Sequence, residues 1–569
     1  MPAKYQFYLT LFVGVVLWST FVHGNVLPFQ SVADNLRQRF QENTAFESLQ
    51  IGDTWAHSPF TLAQFYFERT YQPAWLNAQG LLPVTDTFVE IIEQAVHDGL
   101  RPSDYHASEL RRMLAAARSG NFVTAYQWGD LELLLTDAWL TYGKHLLFGR
   151  VASQQRDQQW PVPGRSRRLP SVLQEALKTN TVIEALLALV PPYSTYAWLR
   201  TALAHYRQLE SLGGWSLVSA GDTLKKGMQH PRVKELRARL QATGDLSQGD
   251  SIASGNANAT EMVRRVAGDQ FDEGLWRAVR RFQRRHGLAA DGIVGPLTLA
   301  ALNVSITERI QQLELNMERW RWLPEDLGKR FVLVNIPDFT MQVVDNGRAV
   351  INTKAIVGTT KRPTPLLSAM INYLVLNPRW YVPRSIAIRD YLPKLRKNPY
   401  ALVTKKFHVY DAMDQEIDPG SVDWYSLSQN HFPYHFRQDP GPQNALGRVK
   451  FIFPNPYHVY LHDTPSHALF NRSQRAYSAG CVRIANAVDL AGYLLKNHSH
   501  WTRDTILAAL GDAERQRMVY LPKEIPVYFF YWTAWVTRDG LIHFRKDIYN
   551  LDKPLAQLLQ ADMKPKQPV

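Results

Sequence analysis

The chain has 569 residues, more than one hydrophobic core serves, so at roughly 150 residues per domain three or four domains are expected. Hydrophobic residues at 45% and charged residues at 20% exclude a disordered chain. The net charge of +13 leaves room for an anionic partner, such as a membrane face or an acidic wall polymer, or for a generic basic surface. Nucleic acid is disfavoured, because the Lys and Arg are spread along the whole chain and no nucleic-acid motif accompanies them.

Met1–Lys4 holds one cation, and Tyr5–Val22 is then uncharged and mostly apolar (YQFYLTLFVGVVLWSTFV). Val22-His23-Gly24 offers a small-residue cleavage site, so residues 1–24 read as a secretory signal. The same segment is long enough to stay as a single membrane anchor, and the sequence leaves both uses open.

Residues 25–220 carry helical patterning and no catalytic motif. Leu131, Leu134, Leu135 and Ala138 are spaced as on one face of a helix. Pro161, Pro163, Gly164 and Pro170 mark an irregular loop, and Pro191-Pro192 ends another helical run. This region is read as a helical scaffold.

Residues 221–304 read as a small three-helix module. Val233, Leu236 and Leu240 make one apolar stripe, and Leu275, Ala278, Val279 and Phe282 a second, with Arg277, Arg280, Arg281 and Arg284 on its solvent side. Ser247–Ala259 is a Gly-, Ser- and Asn-rich loop. Gly287 suits a helix C-terminus, Asp291-Gly292 a turn, and Pro296 the first position of a third helix. The stretch AVRRFQRRHGLAADGIVGPLTLAALN resembles the peptidoglycan-binding-type module, a resemblance more specific for the fold than for glycan binding.

From Arg330 the pattern turns to strands. FVLVNI, TMQVVD and AVINTKAIVG are rich in β-branched residues, with a hairpin predicted at Asn346-Gly347. INYLVLN at 371–377 and FIFPNPYHVYLH at 451–462 are further strand candidates, and residues 380–448 between them read as an insertion or lid. IPVYFFYWTAWVT and GLIHFRKDI suggest a last hairpin around Asp539-Gly540. The fold class is therefore multidomain α+β: a helical scaffold, a small helical module, and a mainly-β domain over 330–550 with a capping insertion.

The chemistry concentrates in YLHDTPSHALFNRSQRAYSAGCVRI, Tyr460–Ile484. It contains Cys481, the single cysteine of the chain, which cannot form an internal disulfide. A free thiol is mostly protonated at neutral pH. An imidazole such as His462 can take its proton, and backbone N–H groups can hold the oxyanion formed when sulfur attacks a carbonyl. Gly480, lacking a Cβ, permits close approach to those N–H groups, and Ser478 shapes the same loop. Asp463 can orient His462 or serve as a loop carboxylate. Arg483 can hold a substrate carboxylate or brace the loop. Trp380 and Tyr381, with Tyr460, are candidates for a substrate groove, although paired aromatics more often pack a core. His462, His467 and Cys481 could be read as metal ligands, but no fourth ligand at a zinc-like spacing accompanies them, and no metal is expected.

The segment resembles the YkuD-type L,D-transpeptidase catalytic domain, whose signature is a His, a gap, then Ser/Thr-His-Gly-Cys and a downstream Arg or Asn. Here it becomes His462 … Ser478-Ala479-Gly480-Cys481-Val482-Arg483, and Thr364-Pro365 after the Ile-Val-Gly run matches another recurrent element. Ala479 stands where the family carries His. With the module and the long N-terminal region, the chain resembles the large YcbB-type enzymes of Gram-negative bacteria. The resemblance implies a periplasmic enzyme of cell wall biogenesis without cofactor, in which Cys481 attacks the third residue of a peptidoglycan stem tetrapeptide and His462 acts as base. D-Ala leaves, a thioester remains, and a second stem peptide resolves it into a 3→3 cross-link. It also implies acylation of Cys481 by carbapenems, and peptidoglycan, with other cell-wall synthesis enzymes, as partners. Water in place of the amine gives an L,D-carboxypeptidase, and a non-catalytic wall-binding scaffold is the alternative from another class.

Overall fold

In the computed structural model the described residues are 29–42, 48–151, 164–247 and 268–560. The apolar segment at 5–22, the loop at Ser247–Ala259 apart from its first residue, and Pro161 and Pro163 lie outside them. Among the described residues no helix is long and apolar enough to cross a membrane.

The N-terminal region is helical, as its patterning predicts. Its central helix, α1, runs Ala125–Phe148 and starts at a capping box in which Thr124 and Gln127 satisfy each other's backbone N–H groups. Leu131, Leu134, Leu135 and Ala138 are all buried, and so is most of the rest of its circumference. Such a helix has no solvent face and is wrapped by its neighbours. In the small module Arg232–Ala242, Glu273–Arg285 and Pro296–Leu302 are helical, and both apolar stripes meet in one core. The Gln283 side chain reaches across that core to Asp291, Ile293 and Thr298 and fixes the turn at Asp291-Gly292. The module docks on the mainly-β domain where Arg545 donates to the Arg285 carbonyl at 2.8 Å and His286 stacks on Phe544.

A second capped helix, α2 (Ile306–Arg321), joins the three regions. Arg321 is 1% exposed at its side chain, pairs with Glu318 at 2.8 Å, and also holds the Tyr196 hydroxyl and the Asp98 carbonyl of the scaffold. On its other side Trp320 stacks on Trp532 of the mainly-β domain at 4.4 Å.

The mainly-β domain is built on nine strands: β1 Arg330–Asn335, β2 Thr340–Asp345, β3 Arg348–Gly358, β4 Leu367–Leu376, β5 Val449–Ile452, β6 Leu461–His462, β7 Ala476–Ser478, β8 Val482–Ile484 and β9 Arg517–Phe530. Their order is β7-β3-β8-β6-β5-β4-β9-β1-β2, and a further pairing of β2 with β3 closes the sheet on itself. Asn346 and Gly347 both take positive φ between β2 and β3, as the hairpin signal requires. Two strand expectations change. FIFPNPYHVYLH is not one strand: Asn455 bonds the Phe453 and Val459 carbonyls and turns the chain, so β5 and β6 pair antiparallel. IPVYFFYWTAWVT is also divided, with β9 pairing parallel to β1 and Ala534–Val536 forming the small hairpin with Ile542–Phe544.

The insertion leaves at the end of β4 and returns at β5, its base held by Asn377 N–H on the Arg448 carbonyl. It folds as a cap with its own four-stranded sheet and its own core around Trp380, Phe407, Trp424 and Phe436. Replacing Arg321 by Ala leaves the buried Glu318 carboxylate without its cation and removes a donor from the Asp98 carbonyl. The expected loss is about 3–5 kcal/mol, read as a lowered unfolding midpoint in thermal or urea titration. An unchanged midpoint would contradict the network's role as a structural joint.

Candidate active site

The loop Ser478–Cys481 joins β7 to β8, and both strands lie against β3. Hydrogen bonds clamp it from both sides. Ser478 Oγ accepts the Gly480 N–H at 3.1 Å and donates to the Cys481 carbonyl. Thr364 Oγ1 donates to the Gly480 carbonyl at 2.7 Å and accepts the Gly358 N–H at 2.8 Å. The Tyr549 hydroxyl donates to the Gly358 carbonyl at 2.7 Å and accepts the Thr364 N–H at 3.2 Å. Gly480 has φ +121°, a backbone conformation that disfavours any side chain, although a Cβ there would meet nothing closer than 3.7 Å. The glycine serves the loop's conformation. Its N–H is committed to Ser478.

Strand pairing assembles the rest. β6 runs parallel to β8, with Leu461 opposite Val482 and His462 opposite Arg483. Leu461, Val482 and Ile484 enter the core. By alternation Tyr460, His462, Cys481 and Arg483 share the opposite face. Lys450 of β5 lies beside His462 on that face and holds its Nζ 3.9 Å over the Tyr460 ring.

His462 is 4% exposed. Its Nδ1 contacts the Asp463 main-chain carbonyl, and the Leu446 carbonyl is a second backbone partner of the ring. The carboxylate of Asp463 is engaged elsewhere: it accepts the Arg448 N–H at 2.9 Å and lies 3.7 Å from His467. Burial, then the nearby Arg483 and Lys450 charges, hold the imidazole pKa down to about 3. Burial pushes the Cys481 thiol above the ordinary range, while hydrogen bonds from Tyr460 and the charges of Lys450 and Arg483 pull it back. The resting pair is therefore a neutral thiol and a neutral imidazole.

Neither cation has a carboxylate partner among the described residues. Burial lowers the Lys450 and the Arg483 pKa, and Arg483 Nε is buried with no hydrogen-bond partner. Lys450 was not singled out by the sequence. Its signal was a lone charge in the apolar strand VKFI, legible once β5 is paired with β6. Trp380 and Tyr381 part company. Trp380 is buried in the cap core with its indole N–H toward the Tyr460 hydroxyl. Tyr381 is 60% exposed and stacks with Arg437, away from the thiol. His467 is exposed on the loop after β6.

Residues 329–506 match the family described as the L,D-transpeptidase catalytic domain. Residues 229–302 match the "Putative peptidoglycan binding domain", and 61–203 a scaffold domain. Residues 329–506 are thus similar to an L,D-transpeptidase catalytic domain, and the module before them to a putative peptidoglycan-binding domain. Over 248 residues it is 35% identical to a Haemophilus influenzae protein named "Putative L,D-transpeptidase", which covers 43% of this chain and 49% of that one. Over 83 residues it is 42% identical to the N-acetylmuramoyl-L-alanine amidase CwlM of Mycobacterium tuberculosis, 14% of this chain and 18% of that one. The chain spans about half the length of the first of these relatives and less of the second. An L,D-transpeptidase structure from Xylanimonas cellulosilytica aligns at 16% identity over 55% of this chain and 99% of that one, with a TM-score of 0.18. At that score it adds nothing to the fold described above.

Two outcomes follow from these charges. Lys450→Gln is expected to raise the pH at which Cys481 becomes reactive to iodoacetamide, and an unshifted profile would show that Lys450 does not act on the thiol. Unfolded, His462 binds a proton near pH 6.5, whereas folded it does so only near pH 3. Stability is therefore expected to fall as pH drops through that window, less steeply in His462→Gln. Equal slopes in acid-unfolding titrations would contradict this.

Proposed function

We propose that this chain is an exported peptidoglycan L,D-transpeptidase that works in the periplasm and joins stem peptides through a thioester on Cys481. The observation that carries the reading is the shared sheet face of Cys481 and His462, beside two cations without protein counterions. His462 Nε2 takes the thiol proton as sulfur attacks the carbonyl of the third stem residue. Because the pair rests neutral, no ion pair has to be sustained in the buried site before substrate arrives. The Cys481 N–H receives the developing oxyanion. The imidazolium then protonates the departing D-Ala amine, and the C–N bond breaks to leave the acyl group on sulfur. The side-chain amine of a second stem peptide, deprotonated by His462, attacks the thioester and releases the thiol, giving the 3→3 cross-link. Arg483 and Lys450 suit the carboxylates of such a substrate.

Water at the second step gives an L,D-carboxypeptidase, and product analysis separates the two. With purified tetrapeptide donor, Cys481→Ala is expected to yield no cross-linked dimer by liquid chromatography and mass spectrometry. His462→Gln is expected to lose about 100-fold or more in kcat. Dimer from Cys481→Ala at the wild-type level would overturn the assignment of Cys481, and no product from the wild type would favour a wall-binding scaffold.

A further inference from the structure

Cys481 stands at one end of a row of side chains that crosses the sheet. The register of β6 with β8 sets Tyr460 beside Cys481, and Ile452 follows across the turn between β5 and β6. Ile452 lies opposite Tyr373 of β4, and Tyr373 opposite Tyr520 of β9. All five share the face that carries His462, while Leu461, Phe451, Leu374 and Val519 between them fill the core. At about 4.8 Å per strand, Tyr373 lies about 14 Å and Tyr520 about 19 Å from Cys481. The row opens outward: Tyr460 and Tyr373 are half-buried, whereas Tyr520 is 65% exposed and its neighbour Met518 52%. The Tyr373 and Tyr520 rings sit 5.3 Å apart, inclined by 45°.

We propose that Tyr373 and Tyr520 form a platform for a pyranose ring of the glycan strand that bears the donor stem peptide. This rests on the transpeptidase reading above. An aromatic face with a hydroxyl at its edge matches a sugar, whose ring presents a C–H face and hydroxyl edges. The distance fits as well. Three stem residues, fully extended, span about 10–11 Å, and the link from peptide to sugar covers the remainder to Tyr373. Two rings and one methionine are far smaller than the roughly 800 Å² per partner that a stable protein interface buries. The row is also continuous with the thiol, which places its occupant on the substrate.

The test compares two donors, the free tetrapeptide and the same tetrapeptide on its N-acetylglucosaminyl–N-acetylmuramyl disaccharide. Tyr520 is exposed, so Tyr520→Ala is expected to fold, as a thermal melt would verify. For the disaccharide donor, Tyr520→Ala should raise KM about fivefold with kcat unchanged. For the free peptide KM should stay at the wild-type value, and Tyr520→Phe should behave as wild type with both. Equal effects on the two donors, or none on either, would overturn the platform. A wild type that processes neither donor would overturn the transpeptidase reading and the platform with it.

Discussion

Two parallel backbone pairings, Leu461 with Val482 and His462 with Arg483, set the geometry on which the site depends. They bring a strand end and a loop, far apart in sequence, into one register, and alternation then decides what each residue faces. A slip of one residue would bury Cys481 and expose Val482. The loop before β8 cannot slip easily, because Ser478 ties it to itself, Thr364 links its Gly480 carbonyl to the Gly358 N–H of β3, and Tyr549 holds Thr364 against Gly358. The cap depends on the same strands, since it grows out of β4 and β5, and Tyr460 packs against its core.

Burial and charge oppose each other at this site. Removing water from Cys481 and His462 favours their neutral forms. Lys450 and Arg483 favour the thiolate and disfavour the imidazolium. The two effects reinforce one another on the histidine and compete on the cysteine, which keeps the base free to accept a proton. Such cations would be costly if left buried and unpaired, and under the proposed function an anionic substrate completes them.

Much of this architecture was legible in the sequence because it rests on local rules. The stripe Leu275, Ala278, Val279 and Phe282 gave a helix, Asn346-Gly347 a hairpin, and the Ser-x-Gly-Cys loop a nucleophile candidate. Illegible features depend on pairing between distant segments. FIFPNPYHVYLH reads as a single strand until Asn455 is seen to bond the carbonyls on both sides of it. Lys450 is an ordinary surface lysine until β5 is set against β6. Trp380 and Tyr381 are adjacent in sequence, yet strand alternation sends one toward Tyr460 and the other to solvent. Gly480 was expected to make room for substrate, whereas its positive φ is the feature the loop requires.

The most direct test of the account is the intact mass of the protein after brief exposure to tetrapeptide donor without acceptor. The account predicts one adduct equal to the donor less its terminal D-Ala, located on Cys481, discharged by added amine acceptor and missing from Cys481→Ala. An unmodified wild-type mass in a preparation that yields dimer once acceptor is added, or the same adduct on Cys481→Ala, would contradict it.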